Sequence, residues 1–218
     1  MDSHSIQQPT IATRHKLAAY AALYRNELLQ NVLPFWVKHS RDNSNGGFFT
    51  CLDRTGQVYD TDKFMWLQGR QVWCFSSMYH NVSAKSEWLD MALHGANFMK
   101  KHGRDANGNW YFSLTAQGQP LIQPYNIFSD CFATMAFAAL DKIQPSDEWK
   151  EIAVSTFYNI LRRRENWKGI YNKSFPGTRT LKNFSLPMIL CNLALELEHV
   201  IGSDEVDKLI PEVIHEVM

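Results

Sequence analysis

The stretch KHSRDNSNGGFF, at residues 38–49, returns as KHGRDANGNWYF at residues 101–112. A weaker third copy, RRRENWKGIY, occupies residues 162–171. The arginines at 41, 104 and 164 are 63 and 60 residues apart, and each copy combines a basic helix end, an acidic residue, a glycine turn and aromatic character. An internal repeat of this length indicates a repeat architecture or a closed toroid of similar units.

Helical patterns fill the sequence between these copies. Residues 14–39 carry apolar side chains at helical spacing, behind Thr13 as a candidate N-cap. Two short hairpins are predicted over residues 48–59 and 109–123. Five further segments are predicted to be helical, namely residues 63–80, 86–102, 126–143, 147–164 and 183–201. Each unit is therefore predicted to be helix, short hairpin, helix.

The predicted helices alternate in character. The 86–102 helix is amphipathic, as a surface helix is, whereas the 183–201 helix is apolar nearly all round and needs to be enclosed on both sides. Outer and inner helices that alternate at this period describe an all-α fold, the α/α toroid. Three pairs and the start of a seventh helix at Ser203 are present, but six pairs need roughly 360–400 residues. We therefore expect a flexible N-terminus at residues 1–13, and the N-terminal half of a helical barrel at residues 14–218.

Half of a toroid is an arc, and its inner helices lack the neighbours that close the ring. We therefore expect three pocket-side aromatic residues, Trp66, Trp73 and Phe137, to face water in this chain. The flank of the 183–201 helix should be exposed for the same reason. Such an apolar surface favours association with other molecules.

Composition and charge count against several classes of function. The 218 residues contain 22 Lys and Arg against 22 Asp and Glu, with no long basic run, so nucleic acid and anionic membranes are poor candidates as partners. Four scattered cysteines without a CxxC pair indicate buried thiols in a reducing compartment, not a disulfide framework or a metal site. The polar N-terminus and the lack of a long apolar stretch favour a cytoplasmic protein.

The predicted helix at residues 63–80 carries the first candidate site. At about 100° per residue, Arg70 lies between Trp66 and Trp73 on one face, and apolar side chains occupy the opposite face. Indole rings stack on the C–H surface of sugars and a guanidinium binds oxygen atoms, so this face predicts a site for a sugar or another polyol. The alternative is structural, with Arg70 in an ion pair and the tryptophans in the core.

The predicted helix at residues 126–143 offers weaker candidates. Asp130 and Phe137 share one face, and Phe132 lies opposite. Asp130 is a candidate ligand for a substrate hydroxyl, but it could equally cap its own helix or join a buried structural pair. Tyr125, just before the helix, is a candidate for the mouth of the same pocket. No histidine shares the face of Arg70, and no nucleophile elbow or zinc-protease motif is present.

Several of these segments resemble the N-acylglucosamine 2-epimerase family. The resemblance extends over roughly residues 14–201 and is most specific in the run from Phe35 to Ser76, which contains WLQGRQVW. It implies an (α/α)6 barrel of about twice this length, in agreement with the repeat. The other segments that carry it are residues 101–138, 171–179 and 186–198.

The resemblance also implies a reaction. Family members interconvert N-acetyl-D-glucosamine and N-acetyl-D-mannosamine, a precursor of sialic acid, by opening the ring and exchanging the proton at C2. This chemistry needs a base and an acid on opposite faces of C2 and a group that stabilises the enolate oxygen at C1. In the family two histidines transfer the protons and the arginine of the WLQ-x-RQVW motif contacts the substrate. That arginine is Arg70 here, Trp66 becomes a pocket wall, and the histidines are expected beyond Met218.

The resemblance bears further on the substrate and on a regulator. Related epimerases of other sugars carry an M-H-x-x-E motif. The matching residues 188–192 have neither the histidine nor the glutamate of that motif, which favours N-acetylglucosamine over cellobiose or mannose. The family is similar in using ATP as an allosteric activator, with no cofactor required for the chemistry. Residues 169–179 resemble the segment suggested for the nucleotide, although a Pro-Gly turn explains them equally well. The candidate nucleotide ligands are Gly169, Lys173, Gly177 and Arg179.

Other functions stay open at this point. An epimerase or isomerase of another sugar would use the same barrel. A glycoside hydrolase would need two carboxylates that face the pocket, for which only Asp130 is a candidate. A non-enzymatic protein would use its exposed helices for interaction. The expected partners are a small amino sugar and, as an assembly, a homodimer.

Overall fold

The computed structural model describes residues 10–164 and 184–218. The chain divides into two compact units, Met1–His39 and Ser40–Met218. The third copy of the repeat lies mostly outside the described residues.

The first unit is helical from Ile11 onwards. Helix α1 spans Ile11–Glu27, a π-helical segment spans Leu28–Val32, and helix α2 spans Leu33–His39. The helix begins earlier than predicted because Thr10, not Thr13, is the N-cap: the Thr10 hydroxyl accepts a hydrogen bond from the Thr13 backbone N–H at 3.2 Å.

The described part of the second unit contains six helices in two layers. Helices α3, α5 and α7 lie side by side in one layer, and α4, α6 and α8 pack on them as partners of the preceding helix. This alternation confirms the predicted half of an α/α barrel with its inner and outer helices. The bounds are α3 Met65–Asn81, α4 Ser86–His102, α5 Phe128–Ile143, α6 Asp147–Arg163, α7 Ser185–Ile201 and α8 Ser203–Val217.

Short strands lie where the two hairpins are predicted, and one more, Lys63–Phe64, occupies residues that were predicted to begin the 63–80 helix. Strands β1 and β2 form one antiparallel hairpin, and β3, β4 and β5 form an antiparallel sheet in that order. Strand β3 belongs to the first repeat and β4 to the second, so this sheet ties the two repeats together in a way that the sequence does not predict. The bounds are β1 Cys51–Leu52, β2 Val58–Asp60, β3 Lys63–Phe64, β4 Ser113–Leu114 and β5 Pro120–Ile122.

The repeated motif folds in the same way in both described copies. The carboxylate of Asp42 accepts two backbone N–H groups of the turn that follows it, each at 3.0 Å, and Asp105 does the same at 2.8 and 2.9 Å. The aromatic residues that follow the turns, Phe48 and Trp110, are fully buried. This buried aromatic residue, here called the aromatic plug of its repeat, therefore fastens each glycine turn to the helical layers.

Helix α7 is covered on one face only. Leu193 and Leu197 are fully buried, whereas Met188 and Leu195 are 57% and 59% exposed. This confirms the exposed flank expected of an open arc. The helix ends at Gly202, as predicted, because the residue there has a φ of 87°, a conformation that favours glycine.

The expectation that Phe137 faces water is wrong. Its ring is fully buried and packs 5.7 Å from the ring of Trp110 and 5.6 Å from that of Trp149. The helical period groups Phe137 with Asp130 correctly, but this face of α5 packs on α6. Trp66 and Trp73 are half-buried.

Candidate functional site

Arg70 lies on α3 with an exposed side chain above two aromatic rings. The guanidinium carbon is 4.7 Å from the centre of the Phe132 ring and 5.7 Å from that of the Trp66 ring. The two rings lie 6.4 Å apart, and Phe132 comes from the neighbouring helix α5. No carboxylate in residues 10–164 and 184–218 forms an ion pair with Arg70. The described structure therefore does not contain the ion pair that the structural alternative requires.

Gly69 permits the close approach of α3 and α5 at this point. A Cβ atom on residue 69 would lie 2.7 Å from the carbonyl oxygen of Phe132 and 2.8 Å from its carbonyl carbon. Backbone atoms cannot move aside as the end of a flexible side chain can. The glycine thus brings the Phe132 backbone against α3, one residue before Arg70.

A pocket of about 280 Å³ opens beside this stack. Aromatic walls with a few polar groups suit a ligand that has both C–H faces and hydroxyl or amide groups. The Asn126 side-chain oxygen accepts the backbone N–H of Phe128 at 3.0 Å, and its amide nitrogen has no partner among the described residues. The lining residues are Trp66, Phe112, Asn126, Phe128, Ser129 and Phe132.

Tyr125 contacts the wall of this pocket but does not line it. Its ring lies 4.9 Å from that of Phe112, which in turn meets Phe64 edge-on at 5.8 Å. The sequence prediction placed Tyr125 at the pocket mouth. In the structure it contacts Phe112, a residue of the pocket wall, and its own contact with a substrate stays a prediction.

Asp130 lies on the opposite face of α5 from Phe132 and is fully buried. Its carboxylate accepts a hydrogen bond from Arg163 at 3.0 Å and another from the backbone N–H of Trp110. In the first repeat Gln68 takes the equivalent place, because its side-chain oxygen accepts the backbone N–H of Phe48 at 2.8 Å. Asp130 and Gln68 are thus equivalent anchors between an inner helix and the aromatic plug of its repeat.

The electrostatics of Asp130 reflect this burial. Removal from water raises the pKa of its carboxyl to about 7, although Arg163 acts to lower it. One carboxylate oxygen has no hydrogen-bond partner among the residues that the structure describes. A pKa near neutrality would suit an acid or a base, but Asp130 is not among the residues that line the pocket. Its position is that of the buried structural pair, one of the alternatives that the sequence leaves open, and we assign it no substrate contact.

A buried ion pair at the start of α3 is not predicted by the sequence. Lys63 Nζ lies 2.7 Å from an oxygen of Asp42, and the two side chains are 0% and 1% exposed. Burial raises the pKa of Asp42, but hydrogen bonds from Lys63 and from the Asn45 backbone together hold it below its ordinary value. Burial likewise lowers the pKa of Lys63, against the attraction of Asp42. The pair fastens the helix that carries Arg70 to the first turn.

No histidine lines the pocket in the part of the chain that the structure describes. His94 and His199 form hydrogen bonds with the backbone carbonyls of Gly47 and Ala138 at 2.9 and 3.1 Å. Burial lowers the pKa of both imidazoles. Both residues therefore have structural contacts, in agreement with the absence of a histidine from the face of Arg70.

Other sequence predictions concern ligands away from this pocket. The candidate nucleotide segment at residues 169–179 lies outside the described residues. The cysteines are free thiols, of which Cys131 is fully buried. Among the described residues no group of three His, Cys, Asp or Glu side chains is suited to a metal ion, and no helix is long and apolar enough to cross a membrane.

The chain is similar to known proteins in both sequence and fold. The profile of the N-acylglucosamine 2-epimerase (GlcNAc 2-epimerase) family matches residues 47–218. The N-acylglucosamine 2-epimerase of Rattus norvegicus is 38% identical over 174 residues, which are 78% of this chain and 42% of the rat protein. A cellobiose 2-epimerase of Ruminococcus albus is 30% identical over 197 residues, 84% of this chain and 50% of that protein. The chain thus spans half or less of the length of these relatives.

The fold is shared with a solved sugar epimerase. The structure of cellobiose 2-epimerase from Bacillus thermoamylovorans B4167 matches with a TM-score of 0.78 and 21% identity, and covers 91% of this chain and 55% of that one. This likeness confirms the predicted partial α/α barrel. Because the family profile matches most of its residues, the chain belongs to the N-acylglucosamine 2-epimerase family.

Proposed function

We propose that the full-length protein interconverts N-acetyl-D-glucosamine and N-acetyl-D-mannosamine by exchanging the proton at C2 of the open-chain sugar. The observation that carries this proposal is Arg70, an exposed guanidinium without an ion-pair partner among the described residues, stacked over aromatic rings beside a pocket. Membership of the family and 38% identity to the rat N-acylglucosamine 2-epimerase support it.

Arg70 would act where negative charge develops. Removal of the C2 proton moves an electron pair towards the C1 carbonyl oxygen and forms an enolate, because C2 carries the acetamido nitrogen and not a hydroxyl group. The guanidinium has five N–H donors in a planar fork and can stabilise that oxygen with two hydrogen bonds. Delivery of a proton to the opposite face of C2 gives the epimer.

The acid and the base of this reaction are proposed to be two histidines, as the family resemblance implies. The resemblance implies that they lie beyond Met218, and this is supported by the described histidines, which do not line the pocket. Each positioned acid or base contributes on the order of 10²–10⁴-fold to the rate.

The choice of an N-acetylated sugar draws support from two observations. Identity is higher to the rat N-acylglucosamine 2-epimerase than to the cellobiose 2-epimerase of Ruminococcus albus, 38% against 30%. The pocket combines aromatic walls with the amide nitrogen of Asn126, which has no partner among the described residues, and could accept the methyl group and the carbonyl of an acetamide. An epimerase of another sugar is the alternative, tested by offering cellobiose and mannose to the same protein.

A glycoside hydrolase is less compatible with this site. That chemistry needs two carboxylates on the substrate. Among the described residues no carboxylate lines the pocket, and Asp130 is buried against Arg163.

We further propose that the reaction needs no cofactor and that ATP is an allosteric activator. The protein is proposed to work in the cytoplasm, in sialic acid metabolism. A homodimer is the proposed assembly. Binding of ATP to the full-length protein, and its loss in Lys173→Ala, would test the proposed nucleotide segment.

Isotope exchange tests the reaction itself. The full-length protein is incubated with N-acetylmannosamine in D2O, and we expect N-acetylglucosamine with deuterium at C2. Product without deuterium would contradict proton exchange with solvent, and no conversion of any N-acetylhexosamine would contradict the proposed function.

A further inference from the structure

Arg70 and Phe132 occupy the same position in successive repeats. Gln68 and Asp130 are the equivalent anchors of α3 and α5, and each of the two residues follows its anchor by two positions. The first repeat thus has a cationic side chain at this position, and the second has an aromatic ring. The two side chains meet across the α3–α5 contact, with the guanidinium carbon 4.7 Å from the ring centre.

The stack restrains the guanidinium without occupying its hydrogen-bond donors. A carboxylate partner would fix Arg70 equally well, but it would use the donors that a substrate oxygen needs. A ring binds the flat face of the guanidinium and leaves the N–H groups at its edge free. Among the described residues Arg70 has no carboxylate partner, and its guanidinium contacts the rings of Phe132 and Trp66.

We infer that Phe132 is a positioning residue for Arg70, which holds the guanidinium in the orientation that meets the substrate oxygen. This inference rests on the proposed function and names the residue that prepares its central group. Gly69 is needed for the same contact, because a side chain at residue 69 would clash with the Phe132 backbone and move its ring away from Arg70.

Phe132 also lines the pocket, so its loss could act through the substrate directly. A cycle of variants separates the two roles, because residues that act as a unit are not additive. In the full-length protein, Phe132→Leu should lower kcat roughly 3- to 30-fold when Arg70 is present. In the Arg70→Gln background the same change should alter kcat less than about 2-fold.

Three further variants serve as controls. Phe132→Tyr keeps the ring and should restore kcat to within about 2-fold of the wild type. Phe132→Met keeps apolar volume without a ring, and should match Phe132→Leu if the leucine variant folds poorly. Phe128→Leu removes another wall of the pocket that is not stacked under Arg70, and should change the rate by the same factor in both backgrounds. If Phe132→Leu also has the same factor in both backgrounds, Phe132 is only a wall and the inference is overturned.

A nuclear magnetic resonance measurement tests the contact whatever the substrate. The Arg70 Nε–H resonance, identified by its loss in Arg70→Lys, should be shifted by the ring current of Phe132. We expect that shift to disappear in Phe132→Leu and to persist in Phe132→Tyr. A resonance that does not move in Phe132→Leu would overturn the inference, whereas a failure of the isotope exchange alone would overturn only the proposed function.

Discussion

The first and second repeats share one scaffold and use it differently. In the first, the uncharged amide of Gln68 anchors α3 to the plug, and Arg70 on the same helix stays exposed. In the second, the carboxyl of Asp130 anchors α5 and is tied to Arg163 inside the protein. The charge that can meet a ligand is therefore in the first repeat, and the charge in the second repeat is structural.

The turn carboxylates of the two repeats differ in the opposite sense. The turn carboxylate Asp42 of the first repeat is paired with the buried Lys63, next to α3. The turn carboxylate Asp105 of the second repeat is held by backbone N–H groups and by the amide of Asn109. The first repeat thus carries an additional buried pair at the base of the helix that bears Arg70.

Removal of Lys63 should have the largest effect on stability. Lys63→Met leaves Asp42 buried without its partner, and we expect the free energy of unfolding to fall by about 3–5 kcal/mol. Urea-induced unfolding followed by circular dichroism measures this. The matched control is Lys100→Met, which breaks the exposed pair with Glu148 and should cost only about 0–1 kcal/mol. Equal losses in the two variants would show that burial does not distinguish the pair.

A pH-dependent effect is expected at Asp130. Its pKa is raised on folding from 3.8 to about 7, so the folded state holds a proton that the unfolded state has lost. The contribution of Asp130 to stability is therefore full below about pH 4 and falls as the pH rises towards 7, by up to about 1.4 kcal/mol per pH unit. Asp130→Asn should remove this slope, whereas Asp207→Asn, exposed on α8, should keep it. Melting temperatures between pH 4 and pH 8 measure the slope, and one that persists in Asp130→Asn would place its origin elsewhere.

The repeats could be found in the sequence because their signals are local. The turn at Asp42 and the aromatic residue Phe48 belong to one motif of a dozen residues, residues 38–49, which recurs at residues 101–112. The helical period places Arg70 on a face with Trp66. That period shows which residues share a face but not which face meets the pocket. On α5 the residue that lines the pocket is Phe132, whereas the face that carries Asp130 packs on α6.

What the sequence did not predict depends on long-range contacts. Lys63 and Asp42 are 21 residues apart, and the pairing of β3 with β4 joins two repeats. The contact of Arg70 with Phe132 joins side chains of two adjacent helices, and it depends on the close approach of their backbones at Gly69. Nothing in the local pattern of any of these residues indicates its partner, because helix packing brings them together.

The central claim is that Arg70 serves the reaction and not the fold, and Arg70→Lys in the full-length protein tests it most directly. Lysine keeps the charge but loses the planar fork. We expect kcat for N-acetylmannosamine to fall by about 10²-fold or more, since one transition-state donor is worth ~2.7–4 kcal/mol, with an unchanged melting temperature because the side chain is exposed. A variant with near-normal kcat, or one whose loss of activity follows a loss of stability, would contradict the account.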